Sequence, residues 1–280
     1  MTDRVGFSDR GRFLLNATQP ELLEREAFNQ ACSAKSTEKT AVLGCYSAGR
    51  TYIFNVNNEK LNGIEEVTTA HEMLHAAYER LDSNEKQRIN RLLDTQGLGA
   101  SEERIKKLML SYAKTEPGER LNELHSILAT EVAVLDPVLE NYYRQYFVDR
   151  SAVVRMATSY QTVFDDLVRR QEALVSELND LASRIDTASG VYASDLRSLN
   201  AAIQSFNSRA GSGSMTRQEY DSERVNLIAR QRALRSSYDA IQALVALYDS
   251  KKSELEAINT ESSALNHSIN SSLSETEEIQ

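Results

Sequence analysis

The first half of the chain is organised around the segment IEEVTTAHEMLHAAYERL, residues 64–81. Its apolar side chains recur at helical spacing and form one stripe, which consists of Ile64, Val67, Met73, Leu74, Ala77 and Leu81. This periodicity predicts a buried helix of about five turns. We expect this helix to belong to a domain that covers residues 1–150.

Helices are also predicted on the C-terminal side of this segment. Asp82 and Glu85 have the spacing of a capping box, which starts the next helix. Three more helices are expected, over about 101–113, over about 119–135, and from Asp136-Pro137 onward. The region is therefore predominantly helical.

The N-terminal side of the segment carries a β signal. Ala41–Tyr46 and Thr51–Val56 are rich in β-branched and aromatic residues and are separated by a short turn, which predicts a β-hairpin. Before them, Glu21–Ala31 has apolar residues near helical spacing behind Pro20, which favours a short helix. The fold class predicted for residues 1–150 is an α+β domain, mainly α with a small β-hairpin or sheet.

The second half of the chain differs in composition, because no proline follows Pro137 and few glycines do. Apolar residues recur there in steps of three and four on both sides of Gly211–Ser214. The pattern predicts a long antiparallel coiled-coil hairpin over residues 151–270, with its tip near 211–214. Such a hairpin is expected to act as a spacer, to recruit a protein partner or to self-associate. Residues 271–280 are expected to form a disordered tail.

Charge and hydropathy exclude several classes of protein. The chain has 41 acidic and 32 basic residues and a net charge of -9, which argues against a nucleic-acid partner. It has no run of about 18 apolar residues, so no membrane span is predicted in it. Its N-terminus lacks the apolar core of a signal peptide, although a chain trimmed of an upstream anchor would look the same.

The two cysteines leave two alternatives open. Cys32 and Cys45 enclose a short loop, and a disulfide that closes it would contribute roughly 3 kcal/mol in the chain-entropy model. Two buried free thiols are the alternative, since free cysteine is among the most buried residue types. A disulfide would imply an oxidising compartment.

His71, Glu72 and His75 form the pattern H-E-x-x-H on the predicted buried helix. A spacing of four places both imidazoles on one helical face, where they can hold a zinc ion, while Glu72 can serve as general base toward the attacking water. Two histidines and a glutamate would be costly to bury on an apolar helix without a shared purpose. The sequence therefore predicts Zn²⁺ as cofactor, with His71 and His75 as ligands and Glu72 as the catalytic residue.

A catalytic zinc ion takes a third protein ligand, and the helix predicted over 119–135 offers Glu123, His125 and Glu131. Glu123 and His125 are about 200° apart around a helix, so both cannot face one ion. His125 is otherwise a histidine at the edge of the core or a donor to the oxyanion, and Glu131 is otherwise a partner of a ligand histidine or of an internal cation. His267 is expected to be solvated. The residues alone leave the choice open.

These motifs resemble zinc metallopeptidases of the gluzincin type, in which a glutamate on a later helix completes H-E-x-x-H and a small residue often follows three positions on. Asn122-Glu123-Leu124-His125-Ser126 matches this pattern, whereas Ile127 stands where the family commonly has an aspartate. Leu43–Cys45, Ala70–Tyr78 and Glu123–Ser126 also resemble uncharacterised bacterial proteins assigned as metallopeptidases, which are often exported or membrane-anchored. The resemblance covers roughly residues 6–150 and implies a zincin-like domain.

The resemblance also implies roles for individual residues. Glu123 would be the third zinc ligand. The substrate would lie along an edge strand beside the active helix, a place that Thr51–Val56 holds in the chain order. A tyrosine or histidine would assist the oxyanion, and the available tyrosines are Tyr78, Tyr112, Tyr142 and Tyr143.

The function implied is that of a zinc-dependent endopeptidase, which hydrolyses a protein or peptide substrate. The implied location is outside the cytoplasm, either in the cell envelope or secreted. The alternative is a non-enzymatic interaction or scaffold protein, in which the coiled coil is the functional part and the zinc site is structural or degenerate.

Overall fold

The computed structural model of the chain describes residues 2–32, 43–96, 103–115 and 117–271. The helices are α1 (Thr2–Val5), α2 (Asp9–Ala17), α3 (Arg25–Cys32), α4 (Ile64–Glu79), α5 (Ser83–Thr95), α6 (Glu103–Thr115), α7 (Arg120–Glu131), α8 (Pro137–Tyr143), α9 (Arg150–Gly211) and α10 (Arg217–Ile269). The strands are β1 (Glu21–Leu23), β2 (Gly44–Ser47) and β3 (Arg50–Phe54).

These elements form two compact units. The first unit comprises Met1–Asp166 together with Ser262–Gln280, and the second comprises Leu167–Glu261. The predicted fold class is confirmed, because the first unit is mainly α with a small sheet and the two long C-terminal helices pack as a hairpin. The predicted domain limits, 1–150 and 151–270, are not the limits of these two units and remain predictions.

The sheet has the strand order β1-β3-β2, with β1 parallel and β2 antiparallel to β3. On one face, Phe54 packs against Phe28 of α3, with ring centroids 5.7 Å apart. A disulfide between Cys32 of α3 and Cys45 of β2 joins the same two layers, which decides between the two alternatives left open by the sequence. The other face of the sheet packs against α4.

Helix α4 is largely buried within the first unit, as its periodicity predicts. It contacts β2 and β3 on one side and α7 on another. Its buried apolar residues join those of α7 in one core, which includes Val67, Met73, Leu74, Leu124, Ile127 and Leu128. Asp82 caps α5 by accepting a hydrogen bond from the backbone N–H of Glu85, as the capping box predicts.

The C-terminal end of α7 is capped by the side chain of Arg150, which is 5% exposed. Its guanidinium pairs with the carboxylate of Glu140, at 2.6 Å between Nη2 and Oε2. It also donates to a group of backbone carbonyls, those of Leu128, Ala129, Val132 and Ala133. Carbonyls in the last turn of a helix have no intrahelical partner, so Arg150 satisfies groups that would otherwise be buried without donors.

Two predicted helices have different limits in the structure. Glu21–Leu23 is a strand and not the first turn of a helix, because its backbone pairs with β3, and the helix begins only at Arg25. Local spacing could not reveal this, since the partner strand lies about 30 positions away in the sequence. The helix predicted to reach residue 135 ends at Glu131, where Val132 turns to an extended conformation.

The second unit consists of the facing parts of α9 and α10. Tyr192 packs against Tyr238 with ring centroids 6.0 Å apart, and Phe206 packs against Tyr220 at 5.1 Å. Helix α9 runs through Gly190 and ends at Gly211, so the hairpin turns where the sequence predicts.

The end of α10 belongs to the first unit. The carbonyl of the buried Ser271, the first residue of the predicted tail, accepts a hydrogen bond from Nδ2 of Asn29 of α3 at 2.6 Å. The rest of the predicted tail, 272–280, lies outside the described residues. No helix in the described part of the chain has an apolar stretch long enough to cross a bilayer.

Candidate metal centre

Helix α4 presents both histidines of H-E-x-x-H on one face. The ring centroids of His71 and His75 lie 4.7 Å apart, as expected for side chains one helical turn apart. Glu72 lies beside them, and one ligand atom from each of the three residues is within 4.8 Å of the other two. The side chain of His71 keeps 19% of its surface exposed, so the cluster is open to solvent on one side.

Helix α7 packs along α4 and brings Glu123 to both histidines. One carboxylate oxygen of Glu123 lies 3.3 Å from Nε2 of His71, and the other lies 3.3 Å from Nε2 of His75. Of the three candidate third ligands, Glu123 is the one that the structure places against both imidazoles. Residues of α4 and α7, which are far apart in the sequence, therefore meet at this point.

The distances fit the geometry of a zinc site. Two ligand atoms that are each about 2.0–2.1 Å from a tetrahedral zinc ion lie about 3.3 Å from each other, which is the separation between the carboxylate oxygens of Glu123 and the imidazole nitrogens. Two imidazoles and one carboxylate are also a donor set of catalytic zinc sites. His71, His75 and Glu123 therefore offer the donor set of such a site, with each histidine facing a different carboxylate oxygen of Glu123.

The electrostatics of the cluster favour a cation. Burial lowers the pKa of His71, but the hydrogen bond and charge of Glu123, together with the charges of Glu72 and Glu131, outweigh burial and raise the pKa to about 9. The carboxylates thus create a negative potential at the imidazoles.

A hydrogen-bond chain behind the histidines orients His75. Its Nδ1 lies 3.0 Å from Oδ1 of Asn122, and Nδ2 of Asn122 donates to Glu119 at 3.0 Å. When Nδ1 donates this hydrogen bond, Nε2 carries no proton and its lone pair points toward Glu123. This is the tautomer that a metal ligand requires. Sequence reasoning assigned no role to Asn122 or Glu119, although Asn122 directly precedes Glu123 and Glu119 directly precedes the first residue of α7.

His125 does not join the cluster. It is fully buried, and its Nε2 lies 3.0 Å from the hydroxyl of Tyr142. Burial, together with the charges of His75 and His71, lowers its pKa to about 3, so the ring is held neutral. His125 is therefore a core histidine.

Glu131 is held away from the ligands by its own partners. It forms an ion pair with Arg104 and accepts a hydrogen bond from Gln161 at 2.7 Å. This arrangement is an ion pair, one of the alternatives that the sequence left open, but it is not internal, because the side chain of Arg104 is 55% exposed.

Three of the four candidate oxyanion tyrosines use their hydroxyls within the core. Tyr78 donates to Oδ1 of Asn90 at 2.6 Å, Tyr142 bonds to His125, and Tyr143 donates to the carbonyl of His125 at 2.8 Å. The fourth, Tyr112, is buried on α6. The hydroxyls of Tyr78, Tyr142 and Tyr143 are thus already bonded within the core.

The expected position of the edge strand is wrong. Thr51–Val56 contains β3, which is the central strand because it pairs with β1 on one side and β2 on the other. Among the described residues, the strand at the edge of the sheet that contacts α4 is β2. The error follows from β1, since pairing with that strand moves β3 to the middle of the sheet.

No protein-family model, curated protein or solved structure matches the chain. Function therefore has to be argued from the geometry and chemistry of the site.

Proposed function

We propose that the protein is a zinc-dependent endopeptidase, in which His71, His75 and Glu123 hold Zn²⁺ and Glu72 is the general base. The observation that carries the proposal is the position of Glu123, whose two carboxylate oxygens each lie 3.3 Å from one imidazole nitrogen of the H-E-x-x-H pair. A chance H-E-x-x-H on a packed helix would not explain a carboxylate from a second helix at this point.

The buried position of Glu72 suits the role of a base. Only 5% of the residue is exposed, and its carboxylate lies beside the two imidazoles. Zn²⁺ would supply Lewis acidity, which polarises the scissile carbonyl and lowers the pKa of the attacking water to about 7. Glu72 would accept the proton of that water and pass it to the leaving amine.

The donor set favours a catalytic site over a structural one. Structural zinc sites are closed by four protein ligands, whereas catalytic sites keep one position for water or substrate. His125 and Glu131, the other candidate ligands on α7, are bonded to Tyr142 and to Arg104 and Gln161. The exposed edge of His71 leaves a path for a substrate.

A peptide is the substrate that the surroundings of the site favour. Strand β2 lies at the edge of the sheet, within the part of the chain that the structure describes, and it packs against the helix that carries Glu72. An extended peptide that paired with such an edge would be held by backbone hydrogen bonds, independently of its side chains. Binding of this kind needs no free chain end, which supports scission within a chain.

The disulfide and the helical hairpin support two further parts of the proposal. The Cys32–Cys45 disulfide supports an oxidising location such as the cell envelope or the extracellular space. The second unit exposes the large apolar residues Val191, Val225 and Leu247, which supports a role as a spacer or as an arm that recruits a protein partner.

Removal of the metal is expected to abolish hydrolysis of a fluorogenic peptide library, because His71, His75 and Glu123 have no other means of activating water. Treatment with 1,10-phenanthroline should stop cleavage, and added Zn²⁺ should restore it. The control is 1,7-phenanthroline, which has similar bulk but does not chelate. Cleavage that persists after zinc removal would contradict the zinc-dependent mechanism, whereas zinc-loaded protein that cleaves no peptide of the library would favour the scaffold alternative.

A further inference from the structure

We propose that Gly44 of β2 is a positioning residue for Glu72, because the strand leaves room at this position for the glutamate side chain and thereby sets where its carboxylate lies. This inference rests on the proposed function of Glu72 as the base. It extends the site from α4 and α7 to the edge strand.

The space beside Gly44 is filled by α4. A β-carbon at position 44 would lie 2.7 Å from Oε1 of Glu72, 2.8 Å from its Cγ and 2.6 Å from Cγ2 of Thr68. All three distances are shorter than van der Waals contact allows. Any side chain at position 44 would therefore compete with Glu72 for the same volume.

Backbone conformation does not account for the glycine. Among the residues that the structure describes, the glycines with positive φ are Gly6, Gly49, Gly63 and Gly213, and Gly44 is not one of them. Alanine could adopt its strand conformation, and a glycine within a strand costs about 0.5–1 kcal/mol relative to alanine. The volume occupied by Glu72 and Thr68 is the physical reason that remains.

The strand is tied in place on both of its faces, so it cannot retreat from Glu72. Cys45 is joined to Cys32 of α3 by the disulfide, and the hydroxyl of Tyr46 donates to Glu79 of α4 at 2.5 Å. Residues 44–47 also pair with β3. The flexible end of Glu72 is therefore the group that would give way to a β-carbon at position 44.

Thr68 is held as firmly as the strand. Its hydroxyl donates to the carbonyl of Ile64 at 2.8 Å, which fixes the rotamer and so the place of Cγ2. A methyl group at position 44 could therefore displace either Thr68 or Glu72, and a test must distinguish these two effects.

The Gly44→Ala variant is expected to lose about 10²-fold in kcat, since a displacement of about 1 Å at a reacting group can cost that much. KM and zinc content should stay near the wild-type values, because the substitution touches no ligand. In the Glu72→Gln background, the same substitution should cost nothing more, because the base is already lost. If Gly44 had only a structural role, the substitution would instead lower kcat by the same factor in both backgrounds.

Two controls isolate the contact with Glu72. Gly118→Ala adds a methyl group that meets nothing within 4 Å, and it should leave activity unchanged. Gly44→Ala/Thr68→Ser removes the Cγ2 contact but keeps the contact with Glu72, so it should remain impaired. Activity restored by Thr68→Ser, or full kcat in Gly44→Ala, would overturn the inference.

A crystal structure of Gly44→Ala provides a readout that needs no activity. The inference predicts a displaced Glu72 side chain next to an unmoved β2, and an unmoved Glu72 next to a shifted strand would refute it. If the wild type cleaves no peptide, the proposed function fails, and this structure alone decides whether Gly44 positions Glu72.

Discussion

Glu72→Gln is expected to reduce peptide hydrolysis by about 10³-fold, within the range of 10²–10⁴ that general acid–base catalysis contributes. Glutamine has nearly the same shape as glutamate but cannot accept the proton of the attacking water. Glu72 is not one of the three proposed ligands, His71, His75 and Glu123, so zinc should remain bound at the wild-type level. Initial rates and elemental analysis of the same preparation would measure both quantities.

Glu66→Gln is the matched control for this prediction. Glu66 lies on the same helix and is 7% exposed, close to the 5% of Glu72, but its carboxylate pairs with Arg4 at 2.8 Å. It should keep full activity per folded molecule, whatever its effect on stability. A Glu72→Gln enzyme that hydrolyses peptides at the wild-type rate would eliminate Glu72 as the base.

Arg150→Met is expected to lower the free energy of unfolding of the first unit by roughly 3 kcal/mol, because removing one partner of a buried ion pair costs about 3–5 kcal/mol. The lower end applies since the side chain of Glu140 keeps 35% of its surface in water. Methionine preserves the apolar stem but leaves Glu140 and the carbonyls at the end of α7 without their donor. Urea unfolding followed by near-ultraviolet circular dichroism of the tyrosines would measure the loss.

Arg155→Met tests whether the cost belongs to the buried guanidinium. Arg155 lies on the same helix, but its side chain is 69% exposed and only 3.6 Å from Asp149. Exposed pairs of this kind contribute about 0–1 kcal/mol, so the variant should unfold close to the wild type. Equal losses for Arg150→Met and Arg155→Met would show that the cap of α7 does not contribute as the structure implies.

The features that the sequence predicts well are those set by neighbours along the chain. The apolar stripe of α4, the heptads around the Gly211–Ser214 turn and the hairpin of β2 and β3 each follow from a local period or a turn. The His71–His75 pair is local in the same sense, because helical geometry alone places positions four apart on one face.

The features that the sequence misses depend on distant partners. Glu21–Leu23 becomes a strand only because β3 is available to pair with it, and α7 ends at Glu131 where Arg150 supplies donors to its last carbonyls. Helical periodicity places Glu123 and His125 on different faces of α7, but it cannot tell which of them faces α4. The contact of Gly44 with Glu72 joins a strand to a helix and leaves no trace in local spacing.

Zinc content per chain, measured by elemental analysis of the wild type beside Glu123→Ala and His125→Ala, tests the metal centre most directly. All three proteins would first be shown to be folded by circular dichroism. We expect about one zinc ion per chain in the wild type and in His125→Ala, and a loss of bound zinc in Glu123→Ala, because a catalytic site needs its third protein ligand. Zinc retained in Glu123→Ala, or a folded wild type that binds none when it is supplied, would contradict the account.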